Sequence, residues 1–181
     1  MKKILMVAIA SIAVVSMTSC GSSSAKPSDA KSNDSVSITD DKSDTKTWEY
    51  DSTTDKMGTT TQIATVLAND LVNLEFPYNG GSQAKILIRK ENGPTEILFV
   101  INKGQIDTDM DGTYIKIKFN EEAPKKWSMS TSSDGSRDVL FFNNETALLK
   151  KIKESKKIVL EVPFYQNGSQ QFAFNTADLK W

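Results

Sequence analysis

The sequence predicts a mainly β domain, an antiparallel β-sandwich with one short helix near the C-terminal third, carried behind an export leader. Three observations lead there. Short segments alternate apolar with polar residues at the period of a strand. Turn-forming steps (PYNGG, ENGP, SSDG, QNGS) separate them at hairpin spacing. The leader MKKILMVAIASIAVVSMTSC ends on the chain's one cysteine, Cys20.

The leader has a three-part layout: Lys2 and Lys3, an apolar run from Ile4 to Val15, then Ser16, Thr18 and Ser19 before the thiol. This is the order of a secretory signal, and the apolar run is short of the roughly 20 residues that span a bilayer. A cysteine directly after small residues resembles the bacterial lipoprotein signal, in which lipid is attached to sulfur and the leader is cut just before it. Met17 stands where that signal prefers Leu. Residues 1–19 are therefore expected to be a signal peptide, with Cys20 as the lipidation site. Gly21 to Lys46 is rich in Ser, Asp, Lys, Asn and Thr, too poor in large apolar groups to offset the entropy of ordering. Residues 20–47 are expected to be the lipidated cysteine and a disordered tether, of root-mean-square span about 28 Å by flexible-coil scaling. Residues 48–181 then form the β-sandwich domain, long enough to bury its own core.

Composition excludes several chemistries. The chain has no histidine and, once Cys20 is acylated, no thiol; imidazole acid–base catalysis, Ser-His-Asp triads, disulfides and thiolate chemistry are ruled out. Loss of Lys2 and Lys3 takes the formal charge from −1 to −3, and no concentrated basic footprint for nucleic acid is present.

Element by element, WEYD (Trp48 to Asp51) reads as a short aromatic strand and Thr60 to Ala68 as a second. Leu71 to Phe76 alternates, which places Val72, Leu74 and Phe76 toward the core. Ala84 to Lys90 follows, with Ile86 and Ile88 on one face. Thr95 to Asn102 is apolar on both faces beyond Glu96, as a central strand would be. Thr113 to Phe119 has the cleanest alternation, Ile115, Ile117 and Phe119 inward against Tyr114, Lys116 and Lys118 outward. Lys126 to Met129, Val139 to Phe142, Ile158 to Tyr165 and Gln171 to Phe174 complete the strands. Between the second and third of these, Asn144 suits an N-cap, and Ala147, Leu148 and Ile152 form a helical stripe that ends among lysines favoured by the helix dipole.

Candidate sites are few. Asp107, Asp109 and Asp111 at alternate positions before Gly112 could converge on calcium, a cation that takes six to eight oxygens. The twelfth position of such a loop is Lys118 and the ninth is Ile115, so the run reads as a solvated acidic turn and no cofactor beyond the covalent lipid is expected. Lys150, Lys151, Lys153, Lys156 and Lys157 form a basic cluster that could meet anionic lipid headgroups but reads as a solvated helix end. Trp48, Tyr50, Tyr78, Trp127, Tyr165 and Trp181 could stack on a sugar or peptide, but large aromatics at this spacing read as core and edge filling. Glu96 with Glu121 or Glu122 is a nominal carboxylate pair for glycoside hydrolysis, with nothing in the sequence to bring it together.

W-E-Y (Trp48 to Tyr50), D-K-M (Asp55 to Met57), F-P-Y-N-G-G (Phe76 to Gly81), I-L-I-R (Ile86 to Arg89), K-G-Q (Lys103 to Gln105), I-K-I-K-F (Ile115 to Phe119), D-V-L-F-F (Asp138 to Phe142), V-P-F-Y (Val162 to Tyr165) and the closing F-A-F-N-T-A-D-L-K-W carry a resemblance. Together they resemble an uncharacterised β-domain family of Bacteroides-type lipoproteins. More weakly, they are similar to the type VI secretion-associated TagO/VasI proteins, which share a Trp, a following D-x-M, a G-Q step and a closing L-x-W. Some of those relatives place cysteines near the G-Q step, where this chain has the aspartates around Asp107. The resemblance implies a β-rich envelope domain and no catalytic residue.

The expectation is thus a protein anchored to the outer membrane through lipid on Cys20. Its domain binds an envelope protein or glycan, or serves a secretion apparatus, and is not an enzyme. A small envelope glycan hydrolase is the remaining alternative. Calorimetric titration with calcium is expected to give no binding heat, and thermal unfolding no rise in Tm; a saturable heat would make the Asp107 turn a site.

Overall fold

Alternation along each strand decides which residues meet, because a strand turns successive side chains to opposite faces. The computed structural model describes residues 47–109 and 112–181; the leader, Cys20, the tether to residue 46 and Asp111 lie outside the described residues. Nine strands and one helix follow in the order β1 (Glu49–Thr54), β2 (Thr60–Leu67), β3 (Ala84–Glu91), β4 (Thr95–Ile101), β5 (Thr113–Phe119), β6 (Lys125–Thr131), β7 (Val139–Phe142), α1 (Glu145–Lys153), β8 (Lys157–Phe164) and β9 (Gly168–Asn175).

All strand pairings are antiparallel, and the nine strands make one sheet in the order β1-β2-β3-β4-β7-β6-β5-β8-β9. The mainly β class with one short helix is as the sequence predicts. The two layers of the sandwich are halves of a single sheet that folds over on itself without closing into a barrel. Phe99 on β4 meets Phe172 on β9 with ring centroids 5.3 Å apart, although four strands lie between β4 and β9 in the sheet order. At one corner the fold nearly closes: Ala68 bridges to Phe174, and the Asn69 N–H donates to the Ala173 carbonyl at 2.8 Å. Among the described residues, β1 lies outside that corner with β2 as its single neighbour, so its other edge is open.

The inward residues are those the alternation picks out. Ile86, Ile88, Ile97, Phe99, Ile101, Ile115, Ile117, Phe119, Leu160 and Phe172 are buried, and Leu148 and Ile152 of α1 join the same core. β4 sits between β3 and β7, which accounts for its apolar faces. Its second face is half of a cross-strand row, Thr65, Leu87, Leu98 and Phe141. Arg89, ion-paired to Glu96, stands 5.9 Å from the centre of the Phe141 ring beside that row.

Two local expectations are corrected. Leu71 to Phe76 is not a strand. Only Val72 pairs, with Ser82, and the main chain of Glu75 is taken by the Asn167 side chain while Tyr78 N–H turns back to the Glu75 carbonyl. Leu74 is buried as expected, but Phe76 is 84% exposed, because a segment without a ladder need not keep a period of two. Asn144 is the N-cap of α1 by position, with a left-handed backbone at φ 59 and no side-chain cap hydrogen bond. Asparagine tolerates that conformation, and its carbonyl still accepts the first helical N–H, from Leu148 at 3.1 Å.

The K-G-Q step owes its glycine to packing. Gly104 has φ +127, and a Cβ there would lie 2.7 Å from Leu74 Cδ1 and 2.9 Å from Phe164 Cε1. The segment after β4 crosses the end of the sandwich too closely for a side chain.

Phe172 and Phe76 test the fold directly. Phe172→Ala is expected to destabilise the domain by about 3 to 5 kcal/mol, the usual effect of emptying an aromatic core site. Phe76→Ala should stay within about 0.5 kcal/mol, as surface changes do. Urea unfolding of the two variants checks both.

Candidate functional site

The inner face of the first four strands changes character at one row. Val66, Ile86, Phe99 and Leu140 are cross-strand partners, and Ala64, Ile88 and Ile97 form the next row; all are buried. The row beyond is Ser52, Gln62, Lys90 and Thr95. Past it, the Thr54 and Thr60 hydroxyls meet at 3.0 Å. Since the side chains of one face recur every second residue, these polar groups point the same way as the core. The sandwich therefore continues past its apolar filling as an open, polar-floored cleft of about 720 Å³, within the size range of small-ligand sites.

Its walls come from outside the sheet. Leu149 of α1 lines one side, and Lys180 and Trp181 of the C-terminal segment another. The Tyr50 hydroxyl accepts the Lys180 main-chain N–H at 2.8 Å, and the Trp181 indole N–H donates to the Thr95 hydroxyl at 3.5 Å. Both rings are thus held by their polar ends. The floor has hydrogen-bonding capacity to spare: among the described residues, the Ser52 hydroxyl, the Gln62 carboxamide and the Lys90 ammonium have no hydrogen-bond partner, and neither has the Lys180 ammonium.

A second depression, of about 660 Å³, lies at the opposite end of β4, between Pro77 to Asn79, Asn102 to Gln105 and Gly135 to Asp138. Three of the sequence motifs, F-P-Y-N-G-G, K-G-Q and the start of D-V-L-F-F, converge there. Its polar groups are largely committed to one another. Lys103 Nζ donates to the Asn79 carbonyl at 3.2 Å, and the Ser136 hydroxyl donates to the Asp138 carboxylate. The Ser136 N–H, with the Ser132 hydroxyl, also holds the Asp134 carboxyl below its ordinary value. This end reads as a structural joint.

The residues singled out by sequence fall in different places. Asp107 and Asp109 line a small depression with Thr113, Tyr114, Lys126 and Pro163, and the Lys126 ammonium lies 4.0 Å from the Tyr114 ring centre. No group of three metal-ligating side chains forms among the described residues. Of the lysine cluster, Lys151 pairs with Glu122 at 3.0 Å, Lys153 donates to the Trp181 main-chain oxygen, and the main chain at Lys156 and Lys157 binds the Asn120 side chain. Three of the six aromatics, Trp48, Tyr78 and Trp127, pack as expected, and Tyr165 is 49% exposed. Trp48 is buried with its N–H on the Thr176 carbonyl at 3.3 Å, Trp127 donates to the Asn143 carbonyl at 2.7 Å, and Tyr78 is half-buried against the core. Tyr50 and Trp181, which the sequence offered for stacking but read as core and edge filling, are the pair that lines the cleft. The signal was present in part, since β2, β3 and β4 each pass from apolar to polar on their inward positions at Gln62, Lys90 and Thr95. Aligning those changes into one row requires the strand register.

The nominal carboxylate pair is dispersed among ion pairs. Glu96 is held by Arg89, Glu121 by Lys118 at 3.2 Å, and Glu122 by Lys125 and Lys151, each at 3.0 Å. Hydrogen bonds from Lys125 and then Lys151 lower the Glu122 pKa from 4.5. Glu161 is lowered likewise, by Lys116 first and then Gln171. Such carboxyls stay ionised and bind cations; they are poor proton donors at neutral pH.

A depressed folded-state pKa gives stability that is complete above the unfolded value and lost as pH falls through the folded one. Glu122→Gln is therefore expected to lower stability slightly at neutral pH, since exposed pairs are screened. It should also flatten the acid limb below pH 4.5, as read by urea unfolding across a pH series. An unchanged acid limb would show that the Lys125–Glu122–Lys151 bridge contributes nothing.

Comparison with family models, curated proteins and solved structures returned no match to the chain.

Proposed function

We propose that this chain is a bacterial lipoprotein, held at the outer membrane by lipid on Cys20, whose β-domain is a non-catalytic binding module that works through the cleft beside Tyr50 and Trp181. The reading of the domain is carried by the inner-face row Ser52, Gln62, Lys90 and Thr95, where polar groups replace the core within a walled concavity. The anchor rests on the leader, with its basic start, apolar run and small residues before the cysteine. No helix among the described residues is long and apolar enough to cross a membrane, and an anchor made by lipid requires none.

Absence of catalysis is supported by the state of the acids. Glu96, Glu121 and Glu122 are each neutralised by a basic partner, whereas glycoside hydrolysis needs one carboxyl kept protonated opposite another. A second reading, an accessory subunit of a secretion apparatus, is favoured by the outer edge of β1, which is unpaired among the described residues, since such an edge can accept a partner's strand. A membrane complex copurifying with the chain, and lost on placing proline in β1, would favour that reading.

Metabolic labelling with a palmitate analogue tests the anchor. Wild-type chain should take up label and fractionate with outer membrane, and Cys20→Ser should lose both. Absence of label on wild type, or label surviving the substitution, would remove the anchor from the proposal.

A further inference from the structure

We infer that the cleft takes a saccharide bearing a carboxylate, of the uronic acid class. This rests on reading the domain as a binding module and names the ligand of that same site. Three features of the cleft select the chemistry. The first is the pair of rings. A sugar presents C–H faces that pack on aromatic surface while its hydroxyls stay hydrogen-bonded, and Tyr50 and Trp181 are fixed in place by Lys180 and Thr95 before any ligand arrives. Aromatic contact of this kind is favourable beyond area alone, and a fixed ring loses little entropy on binding.

The second feature is the floor. Ser52 and Gln62 together offer hydroxyl and amide groups, both donors and acceptors, in a row one strand spacing apart. Adjacent strands stand about 4.8 Å apart, comparable to the separation of hydroxyls across a pyranose ring. Ligand hydroxyls need such mixed partners, because each can give and accept a hydrogen bond. A bound peptide would instead be read through β1 main-chain groups at the open edge and would leave this row unused.

The third is charge. Lys90 and Lys180 line the cleft with Asp51 as the side-chain carboxylate beside them, and the Asp51 Oδ1 already accepts the Ser52 N–H at 2.7 Å. Two ammonium groups without a hydrogen-bonded carboxylate favour an anionic substituent on the ligand, and the fork-free lysine head suits a point contact with one carboxylate.

Purified full-length chain in detergent, titrated with a short galacturonate oligomer and separately with a neutral galactose oligomer, tests the inference by calorimetry and Trp fluorescence. The acidic oligomer is expected to bind more tightly than the neutral one and to perturb Trp fluorescence. Tyr50→Ala should weaken binding about tenfold, the upper range of one aromatic contact, while Tyr50→Phe, which keeps the ring, should retain most of it. Gln62→Ala should weaken both oligomers without changing the urea midpoint, because that side chain has no structural partner. Lys90→Gln should remove the preference for acid. No binding of either oligomer, equal binding of the two, or binding indifferent to Tyr50→Ala and Gln62→Ala would overturn the inference. A peptide that binds in their place, insensitive to Gln62→Ala, would overturn it too. None of these outcomes depends on lipid at Cys20, so failure here and failure of the anchor are told apart by the labelling experiment.

Discussion

Contact between the two halves of one sheet is the constraint on which everything else depends. Each half alone exposes a row of isoleucines and phenylalanines, and burying an apolar side chain of that size is worth about 1.5 to 3 kcal/mol. Folding the sheet over lets Phe99 meet Phe172, and Phe172 meet Phe164, at ring separations of 5.3 and 5.9 Å. The overlap of the halves is incomplete. Beyond the buried rows of β2 to β4, Leu149 of α1 and Lys180 and Trp181 of the C-terminal segment line the inner face with the polar row, and the space among them is the cleft. The site is therefore a consequence of how far the core extends, and its polar floor is the sequence's accommodation to ending the core there.

Strand identity and facing were legible because alternation is a local signal. Ile115, Ile117 and Phe119 could be assigned inward without knowledge of any partner, and β3, β4, β7 and α1 fall where their patterns place them. Leu71 to Phe76 shows the converse. Its alternation is as regular as that of β3, yet it has no ladder to enforce a face, and Phe76 ends exposed beside a buried Leu74. Periodicity states which residues would share a face if a strand formed; only hydrogen-bond partners decide whether one does. Asn144 makes the same point about caps, since residue type suits the position while the left-handed backbone turns the side chain away from its usual acceptor role.

The cleft was less legible for a reason of scale. Ser52, Gln62, Lys90 and Thr95 are separated by turns and read singly as ordinary polar residues near strand ends. Only the register, Ser52 to Gln62 to Lys90 to Thr95, makes them a row. Trp181 lies more than eighty residues from Thr95, the residue it touches. Aromatics at both ends of the domain sequence had been legible as packing, and for Trp48 that is what they do; Trp48 is sealed under the Thr176 carbonyl. Tyr50, two residues on and inside the edge strand β1, is 47% exposed. What packs over each ring, the Thr176 carbonyl on Trp48 and the Lys180 main chain at the tip of Tyr50, separates the core ring from the site ring.

The same geometry sets the two ends of the domain apart. The cleft and the motif-rich joint lie at opposite ends of β4, since Thr95 opens the strand at one and Asn102 follows it at the other. β1 runs antiparallel to β2, with Glu49 opposite Thr65 and Thr54 opposite Thr60, so the chain enters β1 toward the joint and proceeds toward the cleft. Tight packing at the joint, where Gly104 admits no side chain against Leu74 and Phe164, fixes the entry end, while the unspent hydrogen-bonding groups are kept at the other. Side chains committed to one another at one end and open polar capacity at the opposite end make the cleft the ligand-facing end of the proposed binding module.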